Sequence, residues 1–242
     1  MKTAIVTGAT RGIGKSIALA LVDDGYQVIG VYEKSKNLAE KISQENKNIF
    51  FFQADVSNET DIKRLMEFVA KKSDSVEVLV NNAGMEKYAK LEQYLLGDWN
   101  KMLRVNLTSV FLMIKNCLPL LQKAEHAVII NISSSLGTPE DAISPYIVYG
   151  VTKAGVNMLT KGFAQELAGT KIRINAIFPP ATKTNMIDYV LTEEEQKEMI
   201  MNGTLHQPEE VAKFVVKVIN DESKNGEFIS YNWSLIFFTL MY

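Results

Sequence analysis

Apolar positions follow two alternating rhythms along this chain. Ala4-Ile5-Val6 is a short apolar run entering a glycine cluster, and from Ile13 apolar residues recur at helical spacing through Ile17, Leu19, Ala20 and Leu21. Strand, tight turn and helix are expected in that order. Gln27 to Tyr32, apolar and β-branched, predicts another strand; Ala127 to Ile132 predicts a buried fifth strand, and Gly226 to Tyr231 can form the last. The segment carrying Phe111, Leu112, Ile114 and Leu118 presents the apolar face of a buried helix. The alternation continues through all 242 residues without a Pro/Gly/Ser-rich linker, internal repeat or low-complexity tract. It predicts an α/β fold, a single doubly wound parallel sheet with helices on both faces, and residues 1–242 as one domain.

Two spacings carry chemistry. In Thr7-Gly8-Ala9-Thr10-Arg11-Gly12-Ile13-Gly14, Gly8 permits a sharp turn, Gly12 close approach of a ligand, and Gly14 close packing of helix on sheet. The following helix N-terminus offers free amides and a partial positive charge to a pyrophosphate. Glycine-rich turns also arise for steric reasons alone, so this motif is weak by itself. At the end of the next strand, Tyr32 and Glu33 lie where an adenosine ribose would arrive. Glu33 suits a ribose hydroxyl, Arg11 and Lys34 suit a 2′-phosphate, and a solvated strand end explains the pair equally well.

The second spacing is Tyr149 four residues before Lys153, one turn apart on one helix face. An ammonium beside a phenol lowers its pKa, which would let Tyr149 exchange a proton near neutral pH. Such pairs are common on exposed helices. The context is more specific, because Ser133-Ser134-Ser135-Leu136-Gly137 follows the predicted fifth strand at the edge where open α/β sheets bind ligands.

Further motifs join these: Asp55-Val56, Asn81-Asn82-Ala83-Gly84, Val105-Asn106-Leu107 in a long helix, and Asn175-Ala176-Ile177-x-Pro179. Their order and gaps resemble the short-chain dehydrogenase/reductase family over nearly the whole length, with most similarity to its 3-oxoacyl-[acyl-carrier-protein] reductase-like branch. The resemblance implies a Rossmann-type enzyme that moves a hydride between a nicotinamide cofactor and a ketone or secondary alcohol, with a 3-oxoacyl thioester as one candidate substrate. It implies Tyr149 as acid or base, Ser134 as holder of the substrate oxygen, Lys153 as partner of Tyr149 and of the nicotinamide ribose, and Asn106 as anchor of a proton-relaying water. Implied cofactor contacts are Gly8, Arg11, Gly12, Ile13, Gly14, Tyr32, Asp55, Val56, Asn82, Ala83, Gly84, Tyr149, Lys153, Pro179, Thr182 and Thr184. The balance of Arg11 and Lys34 against Glu33 leans towards NADP(H) over NAD(H). Residues 185–206 fall where the family places a substrate lid, and the family's habit predicts a homodimer or homotetramer.

Departures mark where this chain is its own. Pro180 stands where the family usually has glycine, the Ser134–Tyr149 interval is about two residues longer than is usual in the family, and Ser133 and Ser135 are alternatives for the serine role. Residues 234–242 form an apolar tail, too short for the roughly 20 residues that span a bilayer. Subunit packing, pocket covering and peripheral membrane contact are its candidate roles, in that order.

Composition narrows the classes. Lys plus Arg total 26 against 28 for Asp plus Glu, a net charge of −2 that argues against a nucleic-acid-binding surface. Two histidines, His126 and His206, rule out histidine triads and three-histidine zinc sites, and no metal is expected. The lone Cys117 suits a packed thiol in a reducing cytoplasm, and a start directly at the first strand leaves no room for a signal peptide. Scattered lysines such as Lys87, Lys90 and Lys171 leave an acyl-carrier partner open. The competing reading is a non-catalytic dinucleotide-binding sensor or assembly protein on the same fold.

Overall fold

The computed structural model describes residues 1–189 and 191–231; the apolar tail at 234–242 lies outside them. In chain order the elements are β1 (Thr3–Thr7), α1 (Gly12–Asp23), β2 (Gln27–Tyr32), α2 (Lys36–Glu45), β3 (Ile49–Gln53), α3 (Glu59–Ala70) and β4 (Val78–Asn81). There follow α4 (Leu96–Leu103), α5 (Ser109–Leu121), β5 (Ala127–Ile132), α6 (Ile147–Glu166), β6 (Ile172–Phe178), α7 (Glu193–Met201), α8 (Pro208–Asn220) and β7 (Phe228–Ser230). The seven strands form one sheet in the order β3-β2-β1-β4-β5-β6-β7, and every pairing is parallel.

Alternate residues of each strand feed two cores. Ile5, Ile29, Leu79 and Ile129 point to the side covered by α3, α5 and α6, where Leu65, Met113 and Val156 meet them. Ala4, Val6, Val28, Val80 and Ile130 point the other way, onto Ile17 and Leu21 of α1 and Val211 and Val215 of α8. A parallel sheet buried on both faces needs near-continuous apolar strands, which explains why these segments are apolar throughout rather than alternating. Chain order reverses between β1 and β4, and in open sheets of this kind the crevice at the carboxyl ends of the strands opens there.

One element differs from expectation. Val105-Asn106-Leu107 does not sit in one regular helix: a π-helical turn over Arg104–Thr108 joins α4 to α5. One extra residue per turn rotates Asn106 inward, where it is 1% exposed. Among the described residues no helix is long and apolar enough to cross a membrane.

Candidate active site

The β1–α1 turn is shaped by what cannot fit in it. Gly8 and Gly12 have φ of 69° and 53°, a region that disfavours side chains. A Cβ on Gly14 would stand 2.3 Å from Asn82 Nδ2 and 2.4 Å from the Gly8 carbonyl oxygen. Thr7 ties this turn to the loop after β4: its hydroxyl accepts from the Asn82 and Ala83 amides at 2.9 Å each, and Asn82 Nδ2 donates to the Thr7 carbonyl at 2.8 Å. At the start of α1, Arg11 provides no side-chain cap, whereas Asn58 caps α3 and Thr192 caps α7. An uncapped helix start of 12 residues, walled by glycine, fits the pyrophosphate of a dinucleotide.

The flanking contacts are mixed. Thr184 borders the turn, 3.1 Å from where a Gly12 Cβ would lie, and Thr182 turns inward, its hydroxyl donating to the Pro180 carbonyl at 2.7 Å. Pro180 is buried, and Pro179 borders it with partial exposure. Asp55 Oδ1 accepts from both the amide and the hydroxyl of Ser57, so that oxygen is committed to the local turn, while Val56 is buried. Tyr32 packs edge-on against Phe51 at 6.1 Å, and Glu33 pairs with its neighbour Lys34 at 3.2 Å on the surface. Arg11 makes no ion pair among the described residues.

At the other end, α6 begins just before Tyr149 and carries Lys153 one turn on. Lys153 Nζ donates to the carbonyl of Ile132, the last residue of β5, at 2.7 Å, and lies 5.4 Å from the Tyr149 ring centre. Burial pushes the Lys153 ammonium down to about 8, with the Glu86 charge acting the other way. Asn106 clamps the loop after β4, donating to the Met85 carbonyl at 2.7 Å and accepting from the Met85 amide at 2.8 Å; it also donates to Thr152 at 3.1 Å. Thr152 donates in turn to the Tyr149 carbonyl at 2.7 Å, linking Asn106 to the α6 turn. Gly137 allows the segment after Ser134 to lie on α6, since a Cβ there would be 2.6 Å from the Lys153 carbonyl carbon.

Two of the three adjacent serines separate cleanly. Ser133 is buried and donates to Asn157 Oδ1 at 2.6 Å, a structural role. Ser134 faces the Tyr149 phenol, its hydroxyl favouring ionisation of that phenol. The expected lowering of the Tyr149 pKa is not what the structure gives. Burial raises it well above the usual phenol value, the Glu86 carboxylate raises it further, and the Ser134 hydroxyl only partly opposes them.

Glu86 was not visible as a site residue in the sequence. It lies two residues past the Asn-Asn-Ala-Gly motif, half-buried, and accepts from the Tyr88 hydroxyl. The Tyr88 ring meets Tyr146 edge-on at 4.8 Å. An acidic residue so close after that motif is the signal that could have found it. Cys117 is fully buried, its thiol pushed up to about 12, and takes no part.

A family model described as short chain dehydrogenase matches residues 2–219. The chain is 36% identical over 233 residues to the 3-oxoacyl-[acyl-carrier-protein] reductase FabG of Staphylococcus aureus strain Mu50, covering 92% of each chain. It is 34% identical over 241 residues to the protein of the same name from Aquifex aeolicus, covering 96% of each. Two solved structures superpose with a TM-score of 0.86: a short chain dehydrogenase from Burkholderia cenocepacia J2315 in complex with NADP, 28% identical with 96% of each chain covered, and an RhlG/NADP active-site complex from Pseudomonas aeruginosa, 30% identical with 96% of this chain and 94% of that one covered. Whole-length sequence similarity, the parallel sheet and the glycine turn at the start of α1 agree: the chain belongs to the short-chain dehydrogenase family and is an NAD(P)-dependent oxidoreductase.

Proposed function

We propose that this enzyme reduces a ketone, with a 3-oxoacyl thioester as substrate class and NADP(H) as the preferred cofactor. The observation that carries the reading is the convergence of Ser134, Tyr149, Lys153 and Asn106 at the carboxyl edge of β5, beside the uncapped start of α1. When bound, the reduced nicotinamide supplies the hydride. Ser134 holds the carbonyl oxygen by a hydrogen bond, and Tyr149, un-ionised at neutral pH, delivers its phenolic proton to that oxygen. Lys153 would neutralise the phenolate left behind and would hold the cofactor ribose, while Asn106 holds the loop and the α6 turn in register. The other residues of the β1–α1 turn and the β4 loop, with Tyr32, Asp55, Val56, Pro179, Thr182 and Thr184, line the cofactor cleft.

NADP(H) is supported by Arg11, which makes no ion pair among the described residues, and by the NADP in both solved relatives. The thioester is supported by the names of the Staphylococcus and Aquifex relatives. Residues 185–206, which include α7, are assigned as the substrate lid because they follow directly on Thr184. Phe111, Ile147, Val151 and Met158 leave apolar side chains 41–72% exposed on α5 and α6, which supports self-association. The buried reduced thiol of Cys117 suits the cytoplasm.

A fluorescence titration with NADPH and NADH at equal ionic strength tests the cofactor, followed by NADPH consumption with a 3-oxoacyl thioester. Tight NADPH binding and thioester-dependent consumption, both at neutral pH, are expected. Binding of NADPH without turnover of any ketone would replace this reading with the sensor.

A further inference from the structure

The segment that follows Met85 is strung along the first turns of α6. At one end Asn106 holds the Met85 amide and carbonyl and donates to Thr152 of α6 at 3.1 Å. At the other end the Tyr88 ring meets Tyr146 edge-on, with ring centres 4.8 Å apart and planes at 85°. The Tyr146 carbonyl accepts from the Gly150 amide at 2.8 Å, so Tyr146 belongs to the opening turn of the helix. Tyr146, Tyr149 and Thr152 follow one another at intervals of three, which puts them on one stripe of α6 about 9 Å long. Residues 85–88, when extended, span about 10 Å. The segment therefore runs beside the stripe that carries Tyr149, and it closes that side of the cleft towards the helix start.

Polar contacts fix this wall in place. The Tyr88 hydroxyl donates to Glu86 Oε1, the Tyr94 hydroxyl donates to the Lys87 carbonyl, and Lys87 Nζ pairs with Asp98 of α4 at 2.5 Å. Tyr88 and Glu86 are both half-buried, so swinging the ring away would leave a half-buried carboxylate without its partner. A ketone whose oxygen lies against Ser134 and Tyr149 has two arms. In a thioester the sulfur-bearing arm must leave the cleft to reach its carrier, so the closed side receives the acyl end.

We propose that Tyr88 is a specificity-determining residue: its ring, backed by Tyr146, is the stop for the acyl chain and restricts the enzyme to short 3-oxoacyl thioesters. The inference rests on the proposed thioester reading. Methylenes beyond the stop find no apolar space to fill and forgo their transfer out of water. A longer chain would also have to push the ring off Tyr146 and strip the Glu86 carboxylate of its hydrogen bond.

The test compares kcat/KM for the 3-oxobutanoyl, 3-oxooctanoyl and 3-oxododecanoyl thioesters of N-acetylcysteamine at saturating NADPH. Wild type should favour the butanoyl over the dodecanoyl substrate by about tenfold or more, and Tyr88→Ala should cut that ratio by about tenfold, chiefly through a lower KM for the longer chains. Tyr88→Phe keeps the ring and should hold the ratio within about threefold of wild type. Each ratio is taken within one protein, so partial misfolding of a variant, which scales all its rates alike, does not move it. A wild type without preference for the short chain would overturn the proposal. So would a Tyr88→Ala protein in which all rates fall together, or a Tyr88→Phe protein that changes the ratio as much as Tyr88→Ala does. Failure of the underlying reading looks different: no thioester of any length would be reduced by wild type or variant, and the proposal would fall with it.

Discussion

The two ends of the cleft are made from opposite kinds of material. The β1–α1 end is backbone: three glycines, an uncapped helix start and the Thr7 hydroxyl that stitches two loops together. The β5–α6 end is side chain: Ser134 and Glu86 bear on the ionisation of Tyr149, Glu86 on that of Lys153, and Asn106 holds the loop through Met85 and the α6 turn through Thr152. One end is defined by space and breaks when a methyl is added. The other is defined by charge, and small changes in ionisation alter what it does.

Removing one oxygen from the charged end should have the largest effect. Tyr149→Phe is expected to lower the reduction rate by about a thousandfold while leaving NADPH affinity within a few-fold of wild type, as read by steady-state rates and fluorescence titration. At the spatial end, Gly14→Ala should do the reverse, abolishing measurable NADPH binding and destabilising the fold by about 1–3 kcal/mol in denaturant melts, because the new methyl meets Asn82 and the Gly8 carbonyl. A Gly14→Ala protein with normal cofactor affinity would erase the contrast between the two ends.

Arg11→Ala sharpens the comparison within the backbone end. It should weaken NADPH by about tenfold and leave NADH unchanged, since only the 2′-phosphate needs the guanidinium. Equal losses for both dinucleotides would assign Arg11 to the pyrophosphate instead. A further effect concerns stability against pH. The ordinary Lys153 value of 10.5 falls to about 8 in the fold, so between those values the unfolded chain binds the extra proton. Stability contributed at this site therefore rises with pH across that window. Tyr149 works the other way only above its ordinary value of 10.0, where the folded state keeps a proton the unfolded chain loses. Relative to Lys153→Met, the wild type should gain stability from about pH 8 to pH 10 in parallel urea melts.

Much of the fold could be read from local pattern. The strands expected at Gln27–Tyr32 and Ala127–Ile132 occur at those bounds, because runs buried on both faces leave no choice of period. The glycine turn was equally legible, since only glycine adopts the backbone found at Gly8 and Gly12 without strain. The π turn at Asn106 was not: one surplus residue in a long helical pattern leaves no mark on apolar spacing. Motif order favoured Ser134 over Ser133 for the substrate oxygen, and the physical reason is tertiary: Asn157, 24 residues on, engages the Ser133 hydroxyl. The nearness of Lys153 in sequence points to a lowered Tyr149 pKa, whereas in space burial first, and the Glu86 charge after it, raise it.

By itself the sequence determined the layered α/β architecture, the family and the residue types that carry the chemistry, since periodicity, glycine turns and motif order are local properties of the chain. The tertiary structure decided how those residues are charged and which of them act together. Ionisation depends on burial and on every nearby group, and it was the fold that brought Glu86, Tyr88 and Tyr146 together and set Lys153 against the end of β5.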